Sequence, residues 1–82
     1  MSVKILYFAG LKERLGMPGE SIDLPADIRT VGGLRDWLVG QGRDALASAK
    51  NLRCAVNKDM AKLDATIQDG DEIAFFPPVT GG

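Results

Sequence analysis

The sequence has no histidine and a single cysteine. Without histidine it lacks the commonest general base and the commonest metal ligand. One cysteine makes neither an internal disulfide nor a zinc site. Cys54 sits mid-strand between Arg53 and Ala55 with no imidazole to activate it, so it is expected to be buried and inert. Charge of one sign is also missing: 10 basic and 11 acidic residues leave a net charge of −1, without the basic excess of a nucleic-acid binder. No apolar run approaches the roughly 20 residues of a membrane span. The start runs directly into Val3-Lys4-Ile5-Leu6-Tyr7-Phe8 rather than through a signal peptide's charged and apolar regions. Gly32-Gly33 is not followed by the Gly-Lys-Ser/Thr of a phosphate-binding loop. The Asp71/Glu72 pair adjoins an Asp-Gly turn and alternates across a strand, which fits solvated side chains better than acid–base partners. The expectation is a cytoplasmic protein that binds neither nucleic acid nor membrane, holds no metal, and has no catalytic constellation of its own.

What is present suits one small domain. The 82 residues are 45% hydrophobic and 26% charged, a globular mix. A chain of this length buries only about 60–65% of its unfolded surface, which leaves little room for an enclosed active site. A binding module or carrier is therefore favoured over an enzyme.

Residues 3–8 read as a buried strand. A short helix follows over 9–15, ended by Gly16, and 20–24 alternate as a second strand paired with the first. Thr30 is placed to cap a helix over 31–39, with Leu34, Trp37 and Leu38 on one face. Trp37 is expected in the core. Gly32 and Gly33 weaken that helix by about 1 kcal/mol each and are expected to allow close packing on the sheet. Residues 43–49 suggest another short helix and 52–57 a third strand. Residues 60–68 are ambiguous, and the reading they offer is a short edge strand followed by a turn. Asp69-Gly70 is a turn signal, and 71–76 form the last strand. The expected fold is α+β: a mixed sheet of four to five strands packed on one main helix, plus short helices. The globular domain spans 1–76, and 77–82 form a tail.

That tail is Pro77-Pro78-Val79-Thr80-Gly81-Gly82. The two prolines favour an extended rod and lower the cost of ordering it in a partner's channel. Gly81 and Gly82 lack Cβ atoms, so they can thread a narrow passage. Gly82 would present its carboxylate at the tip, unhindered by a side chain. A carboxylate is a poor electrophile until an oxygen becomes a leaving group, as in adenylation by ATP. A sulfur nucleophile could then displace AMP and leave a thiocarboxylate, with the catalytic groups coming from partners. At the tail root, alternation puts Ile73 and Phe75 on one face and Ala74 and Phe76 on the other. At least one of Phe75 and Phe76 is expected to be exposed as a partner contact.

Several of these segments together resemble a known family. Val3-Lys4-Ile5-Leu6-Tyr7-Phe8-Ala9 with Leu11, Glu13 and Gly16, then Thr30-Val31 with Leu34 and Leu38, are similar to the small sulfur-carrying subunits of molybdopterin synthase, the MoaD type. Ala55-Val56-Asn57 and the run from Asp69 through Phe75-Phe76-Pro77-Pro78-Val79-Thr80-Gly81-Gly82 resemble the family's closing signature, the most specific part. The resemblance implies a ubiquitin-like β-grasp. It implies adenylation of Gly82 by an E1-like, MoeB-type enzyme that uses ATP, and thiocarboxylate formation by a sulfur donor system. The tail would enter a MoaE-type large subunit, where sulfur passes to cyclic pyranopterin monophosphate in a heterotetramer. The chain would bind no cofactor itself. Activation of this kind is shared with sulfur carriers of other pathways and with ubiquitin-like modifiers joined through Gly82 to lysines. The Phe-Phe-Pro-Pro-Val-Thr-Gly-Gly ending favours the molybdopterin member.

Overall fold

The computed structural model describes residues 1–48 and 51–77. Its elements, in chain order, are β1 (Ser2–Tyr7), α1 (Gly10–Leu15), β2 (Gly19–Asp23), α2 (Val31–Gly40), α3 (Ala45–Ser48), β3 (Arg53–Val56), β4 (Asp59–Ala61) and β5 (Glu72–Phe76). The five strands form one sheet in the order β2-β1-β5-β3-β4. β1 and β5 run parallel at its centre, and the other neighbours are antiparallel. This is the β-grasp arrangement expected from the sequence, with α2 as the main helix.

One face of the sheet carries the core. Val3, Ile5 and Tyr7 of β1, Ile73 and Phe75 of β5, and Cys54 of β3 pack with Leu11, Val31, Leu34, Leu38 and Leu46 of the helices. Trp37 is half-buried and packs against the rim of this cluster. Burial of such side chains is worth about 1.5–3 kcal/mol each. Tight turns set the strand pairings. Gly16 ends α1 in the left-handed conformation at φ 74°, its N–H donating to the carbonyl of Lys12 at 3.0 Å. Asn57 and Lys58, at φ 50° and 73°, form the two-residue turn between β3 and β4. Both central residues at positive φ match the hairpin twist.

The start of α2 differs from expectation. Thr30 caps it, its Oγ1 accepting from the Gly33 N–H at 3.1 Å. Gly32, however, makes room for a loop and not for the sheet, and a Cβ on Gly33 would meet Thr30 and Ile28. The Val31 N–H donates to the Ala65 carbonyl at 3.0 Å and the Gly32 N–H to the Leu63 carbonyl at 2.8 Å. A Cβ on Gly32 would lie 3.1 Å from that Leu63 oxygen. The ambiguous segment after β4 thus satisfies the otherwise unpaired N–H groups of the helix's first turn.

A polar cluster joins β1 and β2 to the loop after α2. The Tyr7 hydroxyl donates to Glu20 Oε2 at 2.6 Å. Arg43 grips the same carboxylate with two bonds, 2.9 Å from Nε and 2.6 Å from Nη2. The Arg43 hydrogen bonds hold the Glu20 carboxyl below its ordinary range, against the opposing effect of burial. Burial, then the bond to Glu20, pushes the Tyr7 phenol up. Nothing in the hydrophobic pattern marks this cluster, because its members are far apart in sequence.

A group with a depressed folded-state pKa stabilises the protein above its unfolded value, and that stability is lost as pH falls through the folded value. Glu20→Gln should lower stability at neutral pH by about 2 kcal/mol, since it weakens charge-assisted hydrogen bonds to Arg43. The difference from the parent should shrink on acidification, as read by urea denaturation across a pH series.

Candidate functional site at the open face of the sheet

The helices cover one face of the sheet, so the pleat presents every second residue of each strand on the other. Register aligns those residues across all five strands. Leu6 pairs with Gly19 on β2 and with Ala74 on β5; Ala74 pairs with Ala55 on β3, and Ala55 with Met60 on β4. The row contains only apolar side chains and one glycine. Its central alanines are small, and the larger Leu6, Phe8, Met60 and Phe76 around them border a hollow of about 340 Å³. Lys58 and Glu72 also line it. Met60 is 62% exposed and Phe8 48%. Large apolar side chains gathered on an open face are the usual mark of an interaction surface.

The last strand ends at this surface. β5 lies between β1 and β3, with Tyr7 opposite Phe75 and Arg53 opposite Phe76. The Phe8 N–H donates to the Phe75 carbonyl at 3.2 Å, so the chain departs beside the exposed Phe8 ring. Phe76 is half-buried and borders the hollow. Pro77 is half-buried as well. The expected tail residues Pro78, Val79, Thr80, Gly81 and Gly82 lie outside the described residues.

Phe75 requires a correction. It was expected as a possible partner contact, but it is fully buried, because its side of the strand faces the helices. Phe76, on the opposite side, is half-buried and borders the hollow. Residues 3–8 are also less uniformly buried than expected: Lys4 and Phe8 are exposed and Leu6 is half-buried. Continuous apolar runs hide which side is open until the neighbouring strands are known. Sequence reading missed Leu6, Phe8, Ala55, Met60 and Ala74 as site residues for that reason. The one local signal was Met60, an apolar residue directly after the polar turn Asn57-Lys58-Asp59.

Cys54 is buried, its thiol donating to the Ala61 carbonyl at 3.2 Å, and burial pushes its pKa up. A thiol kept protonated in this way is a poor nucleophile. Among the described residues, no group of three His, Cys, Asp or Glu could hold a metal ion. No helix among them is long and apolar enough to cross a membrane. A larger hollow of about 510 Å³ near α2 and α3 mixes Arg35 and Asp36 with aliphatic side chains and shares no lining residue with the first. The candidate site is therefore an apolar face of the sheet, bordered by Lys58 and Glu72, with Phe76 at the end of β5 on its rim.

Comparison with known proteins agrees with this geometry. A model of the ThiS family matches residues 5–82. The molybdopterin synthase sulfur carrier subunit of Escherichia coli (strain K12) is 43% identical over 82 residues, covering 98% of this chain and 99% of the relative. Its counterpart in Haemophilus influenzae is 40% identical over 82 residues, covering the same shares. The crystal structure of SAMP1 from Haloferax volcanii matches at a TM-score of 0.82 and 34% identity, over 100% of both chains. The chain belongs to the ThiS family, and its curated relatives are molybdopterin synthase sulfur carrier subunits.

Proposed function

We propose that this protein is the sulfur carrier of molybdopterin synthase in molybdenum cofactor biosynthesis, and that Gly82 carries the sulfur. The observation that supports this most strongly is a near full-length match to sulfur carrier subunits, in a family match that extends through Gly82. A Gly82 carboxylate oxygen attacks the α-phosphorus of ATP on an E1-like, MoeB-type enzyme and pyrophosphate leaves. A donor persulfide then attacks the acyl carbon with its outer sulfur and AMP leaves. A second thiol attacks the donor sulfur of the resulting acyl disulfide, breaking the S–S bond, so that the donor side leaves as a disulfide and Gly82 keeps the thiocarboxylate. In a MoaE-type large subunit this sulfur passes to cyclic pyranopterin monophosphate, and water restores the carboxylate. ATP serves the activating enzyme, and the catalytic residues belong to the partners.

The open face supplies docking. Phe8, Met60 and Phe76 anchor the large subunit, and the tail beyond Pro77 threads into its active site. Pro77 and Pro78 keep that tail extended, Val79 and Thr80 continue it, and Gly81 passes the narrowest point. A second reading, a modifier joined through Gly82 to lysines, is favoured by the likeness to SAMP1. Covalent Gly82 adducts on many proteins, in place of free thiocarboxylate, would select it.

Coexpression with the activating enzyme and sulfur donor should add the mass of one oxygen-to-sulfur exchange, located at Gly82 by tandem mass spectrometry. Deleting Gly82 should abolish that change and leave the thermal unfolding temperature as it was. Met60→Ser and Phe76→Ala should each weaken binding to the large subunit by about 1–2 kcal/mol, as read by calorimetry. Met60→Ser should also leave the unfolding temperature nearly unchanged, since Met60 stands outside the core.

A further inference from the structure

Between β1 and α1 the backbone takes a conformation that its residue disfavours. Ala9 sits at φ 53°, ψ −131°. This is the first central position of a turn type that normally carries glycine, because an L side chain's Cβ crowds the backbone there. The next residue is glycine, yet Gly10 does not have positive φ. The chain thus places the costly conformation on the alanine although a glycine stands beside it. Ala9 is exposed, so its methyl contributes nothing to the core.

Hydrogen bonds on both sides hold this turn. The Leu11 N–H donates to the Phe8 carbonyl at 3.2 Å and closes it. The Glu13 N–H donates to the Ala9 carbonyl at 3.3 Å. The Phe8 N–H is tied to the Phe75 carbonyl, one residue before Phe76. Phe8 is therefore fixed through its amide and its carbonyl, with Leu11 buried at 2% exposure and the Phe8 ring left 48% exposed. Strained backbone of this kind persists only where its surroundings over-determine it.

We propose that Ala9 is a positioning residue: its left-handed turn holds the Phe8 ring over the open face at the tail root, ready for the large subunit. The inference rests on the docking role given to Phe8 above. An alanine restricts the turn to fewer conformations than glycine would, so Phe8 loses less freedom on binding.

Three variants test it, each assayed for unfolding temperature and for affinity to the large synthase subunit. Ala9→Gly should hold or raise the unfolding temperature while weakening affinity about 5-fold, through the freedom it returns to Phe8. Replacement of Ala9 by D-alanine through chemical synthesis of the chain removes the strain and keeps the restriction. It should raise the unfolding temperature by about 4–8 °C and retain the parent affinity. A purely structural turn would not separate these two variants in binding. Equal affinity of the glycine variant and the parent would overturn the proposal, as would a D-alanine variant that binds as weakly as the glycine one. A fall in unfolding temperature with D-alanine would show that Ala9 is not strained, with the same consequence. Phe8→Ala identifies a failure of the docking reading: unchanged affinity there removes that reading and this inference together. A clear loss with Phe8→Ala alongside a neutral Ala9→Gly removes only the inference.

Discussion

β1 and β5 meet as a parallel pair in the middle of the sheet, Lys4 opposite Glu72 and Tyr7 opposite Phe75. A parallel pair cannot be closed by a tight turn, and here most of the chain lies between its two strands. The intervening chain places helices on one face and adds strands at both edges, which leaves the other face bare. The same pairing puts the final strand at the centre of the sheet, so β5 ends at Phe76 between β1 and β3. Shifting this ladder by one residue would exchange the faces: Phe75 would turn outward and Phe76 inward. Docking surface, tail root and core therefore share a single register.

Chemistry is divided in keeping with that geometry. The domain satisfies its own polar groups: no buried side-chain nitrogen or oxygen among the described residues lacks a partner. Its one thiol is buried, and the shorter of the two ion pairs among the described residues, Glu20 with Arg43, braces β2 against the loop after α2. A small domain with an apolar face beside the end of its last strand suits the proposed function, that of a carrier recognised by more than one enzyme. On the proposed function, the reactive atom belongs at Gly82, as far along the tail as possible, because the reactions take place inside partners.

Much of the fold was legible in the sequence because local rules and the global arrangement agree. Gly16 closes α1, Thr30 caps α2, and Asp69-Gly70 precedes β5, each where its turn or cap chemistry predicts. Long-range placement was less legible. The purpose of Gly32 depends on Leu63, distant in sequence, and the Tyr7–Glu20–Arg43 cluster joins three separated segments. The site was half visible. Alternation separated Phe75 from Phe76 but could not say which side faced solvent, since that depends on where the helices lie. Leu6, Ala55, Ala74 and Met60 become one row only once four strand pairings are known. Ala9 was hidden for another reason: the glycine beside it is the residue that turn chemistry would select.

The most direct test of the account is a single-turnover reaction. The chain would be prepared by ligation with a thiocarboxylate at Gly82 and an isotopically heavy sulfur. It would then be mixed with the large subunit and cyclic pyranopterin monophosphate, without the activating enzyme or ATP. The account predicts that the heavy sulfur appears in the pterin product and that the chain returns with an ordinary Gly82 carboxylate. Heavy sulfur retained at Gly82, or lost to solvent without entering the pterin, would contradict it.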